Sequence, residues 1–153
     1  MTLKALLDAQ PYSQVTCNSA AAGASGYGST STRARKFTNS TVVGSGITYV
    51  QSATLGSTFT IAEAGVYSIT YIDGSSAAAV PFGITKNADG GNNLTGETTT
   101  TMATVINQAA GEYVAVCATA RLAVGDVILA HTNASANFTG ALVKFTITQV
   151  ARY

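Results

Sequence analysis

The chain has 153 residues, 8 Lys and Arg against 7 Asp and Glu, one His, two Cys and no Trp, for a formal net charge of +1. That length suits one domain, and so neutral a balance leaves no electrostatic footprint for nucleic acid or an anionic membrane. A 46% hydrophobic content with only 10% charged residues is the reverse of a disordered composition. Ala accounts for 26 residues, and Ser and Thr for 36. The core must therefore come from a limited set of larger side chains, under a neutral, hydroxyl-rich surface. No stretch reaches the about 18 apolar residues of a membrane helix.

Residues 1–36 are expected to form an arm, and 37–153 the folded domain. Thr2 to Gln10 is compatible with a short helix, capped by the Thr2 hydroxyl and stopped by Pro11. Its apolar patch, Ala5, Leu6 and Leu7, is interrupted by Asp8 before a signal-peptide core could form. The expectation is a chain not exported by that route, with Cys17 and Cys117 as reduced thiols. Asn18 to Thr32 has no hydrophobic periodicity and reads as extended. Arg33, Arg35 and Lys36 then place three positive charges in four residues. The arm carries +3 (four basic, one acidic) and the remainder −2 (four basic, six acidic). Such a run is either a solvated basic turn or a segment that docks on an acidic partner surface.

From Phe37 onward, short β-type runs alternate with turn residues at the spacing of a sandwich or barrel. The predicted strands are Phe37 to Val43, Ile47 to Gln51, Ser57 to Ile61, Val66 to Ile72, Val80 to Lys86, Thr100 to Asn107, Tyr113 to Thr119, Val127 to Thr132 and Ala141 to Val150. Alternation is cleanest where Tyr67, Ile69 and Tyr71 share one face, and where Val143, Phe145 and Ile147 do. Thr and Ser lie opposite, as suits an exposed antiparallel sheet. Gly65 and Gly125 sit in turns that feed strands, and Asn87 to Asn93 is a loop of turn-forming residues. The pattern predicts an all-β, antiparallel two-sheet sandwich of eight or nine strands.

Sites for chemistry are scarce. His131, five residues after Asp126, supplies a base without an evident nucleophile beside it. A lone His and scattered acids lack the clustered ligands of a zinc site or calcium loop, and the Gly residues do not form a phosphate cradle. The expectation is a non-enzyme without cofactor or metal.

The segment Ser57-Thr-Phe-Thr-Ile-Ala-Glu-Ala-Gly-Val-Tyr-Ser-Ile-Thr-Tyr71 resembles the F-x-x-x-x-x-G-x-Y-x-(apolar)-x-(aromatic) signature of the tumour-necrosis-factor and complement globular-head jelly rolls. Leu122-Ala-Val-Gly-Asp-Val-Ile-Leu129, followed by Phe138-Thr-Gly-Ala-Leu142, is similar to that family's later L-x-x-G-D strand pair and closing F-x-G-x-L strand, in the same order. The Thr-rich body and the Arg-Lys-Phe-Thr-Asn-Ser-Thr run ahead of the first strand most resemble the small jelly rolls of bacteriophage virions, which serve as capsid cement (decoration) proteins, head fibres and fibre tips. The resemblance covers residues 37–153.

It implies a homotrimer, with Tyr67, Ile69, Tyr71, Tyr113 and Phe145 shared between the sandwich core and the trimer contact. It also implies a structural virion protein, made in the host cytoplasm and bound to the capsid exterior, with self and the major capsid protein as partners and neither nucleic acid nor membrane. In that reading the arm crosses the shell, with Leu3, Leu6, Leu7, Tyr12 and Tyr27 as apolar anchors and Arg33, Arg35 and Lys36 pairing with capsid acids. Removal of residues 2–32 is then expected to leave a folded trimer that no longer attaches. The alternative is a receptor-binding head-fibre or tail-fibre tip that recognises a host glycan or protein through Asp73 to Ala79, Asn87 to Thr99 and Thr132 to Asn137.

Overall fold

The computed structural model describes residues 12–20, 26–28, 33–88, 94, 100–132 and 142–153. Among them are ten strands: β1 (Gln14–Ala20), β2 (Phe37–Val43), β3 (Ile47–Ser52), β4 (Gly56–Ile61), β5 (Gly65–Gly74), β6 (Pro81–Lys86), β7 (Thr101–Ile106), β8 (Tyr113–Leu122), β9 (Val127–Thr132) and β10 (Lys144–Arg152). They make two five-stranded antiparallel sheets, ordered β2-β1-β10-β5-β8 and β3-β4-β9-β6-β7. The expected all-β sandwich is what the chain forms. The expected helix at Thr2 to Gln10 lies outside the described residues.

Alternation explains how the sheets close on each other. In β5, Tyr67, Ile69 and Tyr71 are buried while Val66, Ser68, Thr70 and Ile72 are partly exposed; in β10, Phe145 and Ile147 are buried between Lys144, Thr146 and Thr148. The inward residues meet those of the facing sheet. Phe145 stacks on Phe59 with centroids 4.3 Å apart, and Phe37 and Tyr71 pack around that pair. Each large side chain so buried contributes about 1.5–3 kcal/mol of transfer free energy. Tyr67, Ile69, Tyr71 and Phe145 are thus core residues with no surface left for a trimer contact, and only Tyr113 of that set is exposed.

The boundary expected at residue 36 needs correction. Gln14–Ala20 is not arm but the second strand of the first sheet, paired with β10 on one side and β2 on the other. The physical reason is a short period-2 pattern: Val15 and Cys17 are fully buried, while Gln14, Thr16 and Asn18 face away. A deletion of residues 2–32 would remove this strand from the middle of a sheet, so it would not leave a folded globule.

Residues 26–28 and 33–36, between β1 and β2, are also built in. Tyr27 bridges Arg35, and the Lys36 amide donates to Gly26 O at 2.8 Å. Strands β4 and β9 pair at Phe59–Ile128 and Thr60–Val127. Beyond those pairs Arg35 enters between them: its amide donates to Ala130 O of β9 at 2.8 Å, and its carbonyl accepts from Ser57 N of β4 at 2.9 Å. Space for the insertion comes from Gly56, at φ +81°, where a Cβ would lie 2.6 Å from Ala34 O.

Candidate functional site

The residues expected to anchor the arm fall into three groups. Leu3, Leu6 and Leu7 lie outside the described residues. Tyr12 is 55% exposed just ahead of β1, where it could meet a partner. Tyr27 and Arg35 are spent inside the fold, which corrects their assignment to a capsid contact. Arg35 has no exposed surface and lies against the equally buried Asp73, Nε to Oδ2 at 2.8 Å. Its guanidinium stacks over the Tyr27 ring, 5.3 Å from the centroid. A charge brought into the interior is retained only when paired and hydrogen-bonded, and Asp73 is further held by the Tyr71 hydroxyl at 2.6 Å and the Gly74 amide at 2.8 Å. Burial, first of all, pushes the Tyr71 phenol well above its ordinary value, and that of Tyr27 likewise. Both stay protonated at neutral pH, and Tyr71 is then able to donate to the carboxylate. Arg33 and Lys36 are half-buried, and the Arg33 carbonyl accepts from Thr132 N at 3.0 Å. The basic run is therefore a structural wedge more than a free charged arm.

Residues expected in exposed loops are corrected in part as well: Asp73, Ser75, Leu94 and Thr132 are buried, while Ser76 to Ala79 are exposed. His131 is fully buried in β9, opposite Gly83 of β6. Among the described residues no group of three or more His, Cys, Asp or Glu could hold a metal ion, and no helix is long and apolar enough to cross a membrane.

The two sheets differ sharply in their outer faces. On the β3-β4-β9-β6-β7 sheet, Leu129 and His131 alternate with the core residues Ile128 and Ala130, yet they too are buried. Here the chain covers the middle of the face, while Thr48 and Val50 of β3 and Thr104 and Ile106 of β7 stay exposed. Leu94 packs on Gly83, where a Cβ would come within 2.8 Å of the leucine side chain. On the β2-β1-β10-β5-β8 sheet no described residue buries the outer face. Its registers align Thr41, Thr16, Thr146, Thr70 and Cys117 in one row across five strands. A second row holds Val43, Gln14, Thr148, Ser68 and Thr119, and a third Asn39, Asn18, Lys144, Ile72 and Ala115. None of these side chains is buried. Neighbours along a row stand about 4.8 Å apart, close enough for Gln14 Nε2 to donate to Thr148 Oγ1 at 2.9 Å.

Lys144 is the one charged member of the three rows. Such a face can exchange many hydrogen bonds with a neutral partner but offers little electrostatic steering. It is the candidate site. Single-sequence reading found its Thr-rich composition but not its assembly, because the rows join residues from five separate stretches of chain.

Two five-stranded antiparallel sheets in this strand order, closed on an aromatic core, define a tumour-necrosis-factor-like jelly roll. No family model matches the chain, and no curated protein does. Solved structures do match: pika GITRL at TM-score 0.58 and 12% identity, covering 94% of this chain and 98% of that one; bushbaby GITRL at 0.55 and 12%, covering 94% and 96%; and murine APRIL at 0.60 and 12%, covering 91% and 99%. Likeness at this identity is one of fold, and sites do not follow from fold.

Proposed function

We propose that this chain is a structural virion protein: a trimeric capsid cement subunit that binds the outer surface of a bacteriophage shell and reinforces it. The observation that carries the reading is the contrast between the two outer faces. One is covered at its middle, where Leu94 lies on Gly83 and where Leu129 and His131 are buried, and is exposed only toward its rims, as at Thr48 and Val50 of β3 and Thr104 and Ile106 of β7. The other is open across all five strands among the described residues, hydroxyl-rich and nearly uncharged. A bare face of that width suits contact with neutral protein, first with other copies of the chain about a threefold axis.

Shell attachment is assigned to residues 1–11 together with Tyr12, in place of the whole stretch to residue 36. That segment contains Leu3, Leu6 and Leu7 as apolar anchors and Lys4 as its cation. Three copies on one trimer would raise the effective concentration of each remaining segment once the first is bound.

The test is binding to empty shells assembled from the major capsid protein of the same virus, with stoichiometry read by quantitative gel and electron microscopy. Cement predicts many copies spread over the lattice. Removal of residues 2–11 should leave a folded protein that no longer attaches. Occupancy restricted to one vertex or to fibres would favour the receptor-binding reading instead, and no attachment to shells would overturn the cement assignment.

A further inference from the structure

We propose that β8 is a self-pairing edge, through which two copies of this chain join their β2-β1-β10-β5-β8 sheets into one continuous sheet about a twofold axis at Cys117. Among the described residues β8 is the terminal strand of its sheet and pairs with β5 alone, over ten residues without a register shift. Its outer edge offers a row of backbone donors and acceptors. Exposed edges of this kind are normally blunted by proline, charge or a bulge. β8 has no proline and no charge from Tyr113 to Ala120, whereas the terminal strand of the other sheet, β7, pairs with β6 through a register shift between Ile84 and Thr85.

The occupant follows from the strand's own sequence. A twofold axis normal to the sheet keeps each face on its own side, so outward residues meet outward residues and inward meet inward. With the axis at Cys117, Tyr113 of one copy stands opposite Arg121 of the other, whose guanidinium lies over the Tyr153 ring of its own chain, 5.6 Å from the centroid, so the second aromatic ring would add to that contact. On the inner side Val114 meets Ala120 and Val116 meets Ala118. The valines fall where the alanines leave room: beside β8 lies a cleft of about 290 Å³, with Met102, Ala118, Ala120 and Leu122 as its apolar lining and Lys86, Thr119 and Arg121 at its polar margin. Val114, Ala118 and Ala120 are only partly buried in the single chain, so pairing would complete the core along this edge. The bulky first half of the strand is thus complementary to its small second half, which makes a second copy the partner of best fit.

The test is the mass of the full chain by light scattering after gel filtration. The wild type should form a particle with an even number of protomers. Ala120→Lys, which places a cation in the cleft without touching the bare sheet face, should halve that mass, and so should Val114→Lys at the other end of the edge. Both should keep the wild-type far-ultraviolet circular dichroism. Thr146→Arg, in the middle of the bare face, should leave twofold pairs intact, still joined through Cys117 by a short bismaleimide. A wild-type monomer or odd-numbered particle, a mass unchanged in both edge variants, or no Cys117 cross-link in the Thr146→Arg background would overturn the proposal. A wild-type dimer would sink the trimeric reading of the function while supporting this one.

Discussion

Arg35 Nε lies 2.8 Å from Asp73 Oδ2, and Arg35 Nη2 3.3 Å from Oδ1, with both side chains fully buried and 38 residues apart in the chain. The pair ties the segment wedged between β4 and β9 to the end of β5. Removing one partner strands the other charge in the interior, which costs about 3–5 kcal/mol. Asp73→Asn and Arg35→Met should each lose stability in that range by urea denaturation. The double variant should lose clearly less than the sum, because no charge is then left unpaired. Strictly additive losses would show that the two residues act independently.

That pair also marks where sequence reading stops. The strands from Phe37 onward were legible because each alternates between turn residues, and the expected Phe37 to Val43 and Val127 to Thr132 coincide with β2 and β9. β1 was missed because its signal is one short alternation, Gln14 to Asn18, next to a Ser-, Gly- and Ala-rich stretch that overwhelms it. Arg35 announced a charge, but nothing local says that its partner is an acid on another strand. The bare face was half legible: outward Thr could be listed strand by strand, but long-range register alone sets Thr16 between Thr41 and Thr146.

Two glycines with similar backbone angles should respond differently to the same substitution. Gly56 and Gly111 have φ of +81° and +87°, a region that costs an L-residue about 1–2 kcal/mol. At Gly111 a Cβ meets nothing within 4 Å; at Gly56 it would collide with the backbone of Ala34. Gly111→Ala should therefore lose only the conformational cost. Gly56→Ala should lose well over 2 kcal/mol, since the inserted segment must shift. Equal midpoints in urea would refute the steric role given to Gly56.

The two thiols should separate by reactivity. Cys17 is fully buried in β1, and burial pushes its thiol up to about 12, with a weaker opposing pull from Tyr49. Cys117 is exposed. Because the thiolate is the reacting form, a thiol reagent at pH 8 should titrate one group in the native Thr146→Arg variant, whose outer sheet face is not covered by other copies, and two in denaturant. The native Cys17 should lag Cys117 by at least about 100-fold. Two fast-reacting thiols in the native state would contradict the placement of β1 inside the sheet.

Asp126 supplies a pH-dependent contribution with a definite sign. Burial pushes its carboxyl up, but donors prevail: the Ala123 amide at 2.9 Å, the Asn87 side chain at 2.9 Å and Lys86 Nζ at 3.7 Å together hold it below its ordinary value. A carboxyl depressed in the folded state binds its proton more readily once unfolded. Its contribution is therefore complete above the unfolded value of about 4 and is lost as pH falls through the folded one. Asp126→Asn keeps the shape but replaces one acceptor oxygen by a donor, so it should destabilise the protein by about 1–2 kcal/mol at pH 7. Urea midpoints of the two proteins should converge as pH drops below about 4, where the wild-type carboxyl is itself becoming neutral. A gap that stays constant from pH 7 to acid would mean that the lost contact is steric and not charge-dependent.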